Sequence, residues 1–129
     1  MVLGRAASVI AKRLLDGEEI ILLNAERMVI SGHLREILAK YKRRIELQDK
    51  ANPEHSPYWS RRPDLFVKRV IRGMLPYKKA RGKTAFKLLR VYAAVPEPLL
   101  KEVPEKLELK SFDKVFENTL EIRQIMEKL

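Results

Sequence analysis

The chain has 129 residues, no cysteine, and 27 Lys or Arg against 17 Asp or Glu, giving a formal net charge of +10 at pH 7. That length suits one domain with a single core, and the missing cysteine excludes disulfides, thiolate nucleophiles and Cys-based zinc sites. No apolar run approaches the roughly 20 residues that span a bilayer and no charged-then-apolar leader opens the chain, so a cytoplasmic protein without a membrane partner is expected.

Helical spacing of Leu3, Ala6, Ala7, Ile10, Ala11 and Leu14 predicts an amphipathic helix that Asp16-Gly17 ends. The continuous run Ile20 to Leu23 predicts a strand covered on both faces. Ser31 is a suitable N-cap for a helix with Leu34, Ile37, Leu38, Tyr41 and Ile45 on one side and Arg35, Lys40, Arg43 and Arg44 on the other. Gln48 to Ser60 holds two prolines and no apolar period, so it reads as a long loop. Pro63 and Asp64 open a further helix that Pro76 ends, with Phe66, Val67, Val70, Ile71 and Met74 inward, Lys68, Arg69 and Arg72 outward, and Gly73 at the seam, where it permits a neighbouring backbone to approach. Residues 78–83 read as a flexible basic connection into a second helical segment with Ala85, Phe86, Leu88 and Leu89 inward, and Leu89 to Val95 as a strand. Residues 96–129 form a C-terminal extension of the same domain. It ends in a helix from Ser111 or Asp113, with Phe112, Val115, Phe116, Thr119, Ile122 and Met126 core-spaced and Glu117, Glu121 and Lys128 outward. Alternating helices and buried strands predict an α/β fold with a mostly parallel sheet.

Charge is concentrated in one place. Arg61 to Tyr92 carries eleven Lys or Arg residues against a single acid, Asp64, while basic and acidic groups nearly cancel on either side. A solvated face mixes its signs. A one-signed block attracts a polyanion, and each phosphate it neutralises releases a counterion. In the adjoining loop His55, Tyr58 and Trp59 either stack on bases or riboses or anchor the loop on the core.

Signals for catalysis are weak. The two histidines, His33 and His55, have no metal-ligand spacing, and the five glycines are too scattered to cradle a pyrophosphate. Asp64 stands at the second helical position, where it caps the dipole. Neither metal, cofactor nor small-molecule substrate is expected.

Several segments occur together in a telling order: LGRAASVIAKRLLDGEEIILLNAE at 3–26, SG at 31–32, then RRPD, RGMLP at 72–76, a basic RG and the strand LRVY. Over roughly residues 3–98 the chain resembles the universal large-subunit ribosomal protein thirteen family in its archaeal form. The resemblance implies a three-layer α/β/α, Rossmann-like fold, a structural place on large-subunit ribosomal RNA beside neighbouring ribosomal proteins, a part in subunit assembly, and no catalytic activity. Carried across by motif, the RNA-contacting candidates are Arg5, Arg61, Arg62, Arg69, Arg72, Lys78, Lys79, Arg81 and Lys83, with Gly73, Pro76 and Gly82 shaping the backbone; Lys68 joins them from its place on the outward arc of the same helix. Two departures stand out. Only Met1 and Val2 precede the first helix where the family has a further strand, so either the start lies downstream of the family's or the sheet is one strand short. Ala93-Ala94 also stands where the family often has glycine.

Two other readings compete with a ribosomal RNA-binding protein: a free-standing nucleic-acid-binding regulator, and a nucleotide-using enzyme on a Rossmann-like scaffold. The absent phosphate-binding glycine loop counts against the enzyme.

Overall fold

Small residues on one stripe of the first helix let another helix lie close against it. In the computed structural model, which describes residues 1–99 and 119–129, α1 (Leu3–Leu15) buries Leu3, Ala6, Ala7, Ile10, Ala11 and Leu14. It packs mainly on α3 (Pro63–Met74). Its end is a Schellman motif: the Gly17 N–H donates to the Leu14 carbonyl at 3.2 Å and the Glu18 N–H to the Arg13 carbonyl at 3.2 Å, with Gly17 at φ +95°.

The α/β class is the expected one, and its strands divide into two pairs. β1 (Ile20–Leu22) runs parallel to β3 (Leu89–Val91), and β2 (Val29–Ser31) runs antiparallel to β4 (Thr119–Glu121). Val2 makes a parallel bridge to Val29 in front of α1, so parallel pairing holds for β1–β3 and this bridge but not for β2–β4. Between β1 and β2 the chain turns through Asn24, at φ 54°, and a short 3-10 turn whose buried Ala25 donates its N–H to the Tyr92 carbonyl at 3.1 Å.

Three further helices complete the described residues: α2 (Leu34–Glu46), α4 (Ala80–Lys87) and α5 (Ile122–Glu127). One hydrophobic cluster joins α1, α3, β3 and α5 through Ile10, Leu14, Phe66, Val67, Ile71, Leu89 and Ile122. Phe66 lies at its middle, 2% exposed, with the Tyr41 ring of α2 edge-on to it at 5.0 Å.

Several expected details are corrected by the packing. Among the described residues β1 pairs with β3 alone and is not covered on both faces, since Ile21 is 44% exposed while Leu22 is buried. Ser31 lies in β2, and His33 takes the N-cap of α2 without a side-chain cap bond. Arg81, Gly82 and Lys83 are inside α4, not in a flexible connection, and β3 ends at Val91 rather than Val95. Met74 is exposed near the end of α3. At the C-terminus Thr119 and Glu121 lie in β4, and α5 follows from Ile122 with Ile122 and Ile125 buried; the expected helix start at Ser111 or Asp113 lies outside the described residues. Phe112, Val115, Phe116 and Glu117 lie outside the described residues.

Candidate nucleic-acid interface

The outer arc of α3 carries the adjacent Lys68 and Arg69 and, one turn on, Arg72, and each of these cations rests on an aromatic ring supplied by another segment. Lys68 lies 5.2 Å from the Phe86 ring centroid of α4, Arg69 4.0 Å from Trp59 of the 48–60 loop, and Arg72 5.3 Å from Tyr77 of the turn after α3. Tyr77 and Phe86 meet edge to face at 5.3 Å, so Lys68 and Arg72 are braced by one aromatic pair. Such contacts contribute about 0.5–1 kcal/mol each at exposed sites. They also restrict side chains that otherwise carry about 2 kcal/mol of rotamer entropy, which a bound polyanion would have to freeze out.

Arg69 also makes a hydrogen bond to another segment. One of its terminal nitrogens donates to the Tyr58 carbonyl, tying the loop to α3. Arg44 of α2 stacks on the same Trp59 ring at 4.8 Å and on Tyr41 at 5.5 Å. Burial pulls the Arg69 pKa below the usual guanidinium value, and repulsion from Arg72 and Arg44 adds to the shift. Within the basic stretch the one ion pair among the described residues is Arg62 with Asp64, at 2.7 Å. The Arg44, Arg69 and Arg72 charges therefore face one another without an acid between them.

A bound loop, a sharp turn and a short helix extend this surface. The Pro76 carbonyl accepts the Lys79 N–H at 2.9 Å, and α4 then crosses so close that a Cβ on Gly82 would stand 2.2 Å from that same oxygen. Only glycine fits there. Lys78 and Lys79 project from the turn into solvent, and Arg72, Tyr77, Lys78 and Lys79 line one open depression next to that formed by Lys68, Arg69 and Arg72.

The expected site residues thus separate. Lys68, Arg69, Arg72, Lys78 and Lys79 form a continuous surface, with Pro76 and Gly82 shaping its turn. Gly73 has no close neighbour, so its expected role at a helix seam is not what the packing shows. Arg62 is engaged with Asp64, and Arg61 and Lys83 are exposed. Arg81 reaches the Leu15 carbonyl at 3.3 Å and so braces the end of α1. Arg5 lies on α1 beside Ile30, Tyr41 and Val70, away from the α3 arc. Of the aromatic candidates, Trp59 is half-buried against the core, His55 is exposed, and Tyr58 is 79% exposed. The residues that sequence reasoning missed are Arg44, Tyr77 and Phe86. Arg44 falls outside the basic block and is expected on the helix side opposite Tyr41; its i, i+3 spacing instead brings it over the Tyr41 ring, which corrects that expectation.

Residues 1–98, which hold every residue of this surface, match the family described as ribosomal protein L13. The chain belongs to that family. A large ribosomal subunit protein uL13 from Methanosphaera stadtmanae is 49% identical over 100 residues, covering 77% of this chain and 70% of the relative. The uL13 of Archaeoglobus fulgidus is 45% identical over 114 residues, 88% of this chain and 71% of the relative, and that of Methanocaldococcus jannaschii 47% over 107 residues, 82% and 77%. The L13 family is one of structural ribosomal proteins, not of enzymes. Among the described residues no helix is long and apolar enough to cross a membrane.

Proposed function

We propose that this L13-family chain is a structural component of the large ribosomal subunit, working in the cytoplasm, and that it binds large-subunit ribosomal RNA through the outer arc of α3 and the turn that follows. The observation that carries this reading is the braced row of Lys68, Arg69 and Arg72, which runs on to Lys78 and Lys79 without an intervening acid. Cations held by aromatic rings present a fixed spacing to phosphates, and that suits recognition of a folded RNA by shape and backbone contact. The relatives are described as large ribosomal subunit proteins, which supplies the subunit and neighbouring ribosomal proteins as partners. Help in assembly follows from the same chemistry, since neutralising phosphates lets RNA segments approach.

Affinity for a large-subunit rRNA fragment, titrated against salt, tests the proposal. With about five or six phosphate contacts it falls by roughly 500- to 2,000-fold between about 50 and 200 mM salt, taking duplex behaviour as the guide. An affinity indifferent to salt contradicts it.

A further inference from the structure

Charge alone leaves part of this surface unaccounted for. Beside the α3 cations lies a cavity of about 300 Å³ lined by Tyr58, Leu65 and Phe86 as well as by Lys68, Arg69 and Arg72. Tyr58 is 79% exposed and Leu65 42%, so neither ring nor chain is held there by packing into the core. The backbone beneath Tyr58 is nevertheless fixed, because its carbonyl accepts a hydrogen bond from Arg69 and the next residue, Trp59, is packed against the core. An exposed tyrosine on an anchored backbone is an aromatic face presented to solvent.

Phosphates gain nothing from an apolar lining, and a continuous RNA duplex offers no base faces to it. An unstacked base with its own flanking phosphates matches both halves of the cavity, the apolar groups against its ring and the three cations against its backbone. The volume sits at the small end of the roughly 300–1,000 Å³ range of ligand sites, which suits a single ring system. We propose that this cavity receives one unstacked nucleobase from a single-stranded RNA segment, with Tyr58 as the stacking ring. The inference rests on the RNA-binding reading and adds to it a nucleotide-sized site. Ser60 lines the cavity as well, and its oxygen accepts the Arg62 backbone N–H at 3.1 Å, so it is engaged with the protein itself. Recognition is therefore by stacking, and it tolerates different bases.

The test uses the full chain and three RNA probes: a short unstructured oligouridylate, an abasic strand of equal length, and a blunt duplex of equal charge. The oligouridylate is expected to bind more tightly than the abasic strand. Tyr58→Ala should weaken oligouridylate binding by roughly 5- to 150-fold, the effect of removing one stacking ring, while duplex binding stays within about twofold and Tyr58→Phe behaves like the parent. An unchanged melting temperature for Tyr58→Ala separates this loss from unfolding. If the abasic strand binds as well as the oligouridylate, or Tyr58→Ala leaves oligouridylate affinity unchanged, the base site is overturned while the electrostatic reading stands. If the parent binds none of the three probes, both fall.

Discussion

Arg69 shows why a charged residue on the outer arc of a helix is not interchangeable with its neighbours. Its guanidinium covers Trp59 and holds the Tyr58 carbonyl, so it links α3 to the 48–60 loop as well as presenting charge. Arg69→Ala is therefore expected to lower stability by about 1 kcal/mol in urea unfolding, through the lost stacking and hydrogen bond, and to weaken RNA binding at the same time. A variant with parent-like stability would mean that the stacking contributes nothing to the fold. Tyr41 gives a second test at this scale. Burial raises its pKa above the ordinary value of about 10, with nearby Arg44 opposing the shift. Below that value the ring is neutral in both folded and unfolded chains and its stabilising effect is fully present. As pH rises further the unfolded chain gives up its proton first, so stability falls until the folded ring ionises as well. Unfolding free energies of the parent and Tyr41→Phe, compared from about pH 9 upward, should show the steeper decline in the parent.

At the scale of elements, the turn from α3 into α4 depends on one glycine and is indifferent to another. Gly82→Ala places a methyl group against the Pro76 carbonyl, a backbone atom that cannot swing aside, and should cost about 2 kcal/mol or more. Gly73→Ala, in open space near the end of α3, should instead stabilise by about 0.5–1 kcal/mol through helix propensity. Thermal melting of the two variants checks both signs. The long-period helices were legible in the sequence because α1 and α3 bury stripes that repeat at helical spacing. What spacing does not carry is the identity of the neighbour. Ile20 to Leu23 reads as fully covered from its composition, yet one face of β1 is open and Ile21 is exposed there. The same limit explains the glycines, since the sequence shows the spatial neighbour of neither Gly73 nor Gly82 and only the crossing of α4 over Pro76 distinguishes them. Lys78 to Lys83 reads as loop because basic residues and a glycine weaken the helical pattern, and Ala85 packed on the core draws the segment into α4.

For the whole molecule, the concentration of charge between Arg61 and Tyr92 is legible in the sequence, because counting needs no geometry. How the block divides is not. Arg62 and Arg81 are engaged with Asp64 and with the Leu15 carbonyl, whereas Lys68, Arg69, Arg72, Lys78 and Lys79 share one surface. Arg44 joins that surface from α2 through Trp59, a contact that no local window of sequence contains. The relevant quantity for binding is thus the braced row and its turn, not the sum of the block's charges.

Lys78 and Lys79 offer the most direct test of that claim, since both are exposed and neither supports the core. The measurement is the affinity of the full chain for a large-subunit rRNA fragment across a salt series, for the parent and for Lys78→Glu/Lys79→Glu, with melting temperatures alongside. The expected result is unchanged melting, an affinity loss of at least about tenfold at low salt, and a salt slope smaller by roughly one for each phosphate contact removed. A double variant that binds the fragment with the parent's affinity and slope would contradict the account, because the row beyond α3 would then be an ordinary solvated face.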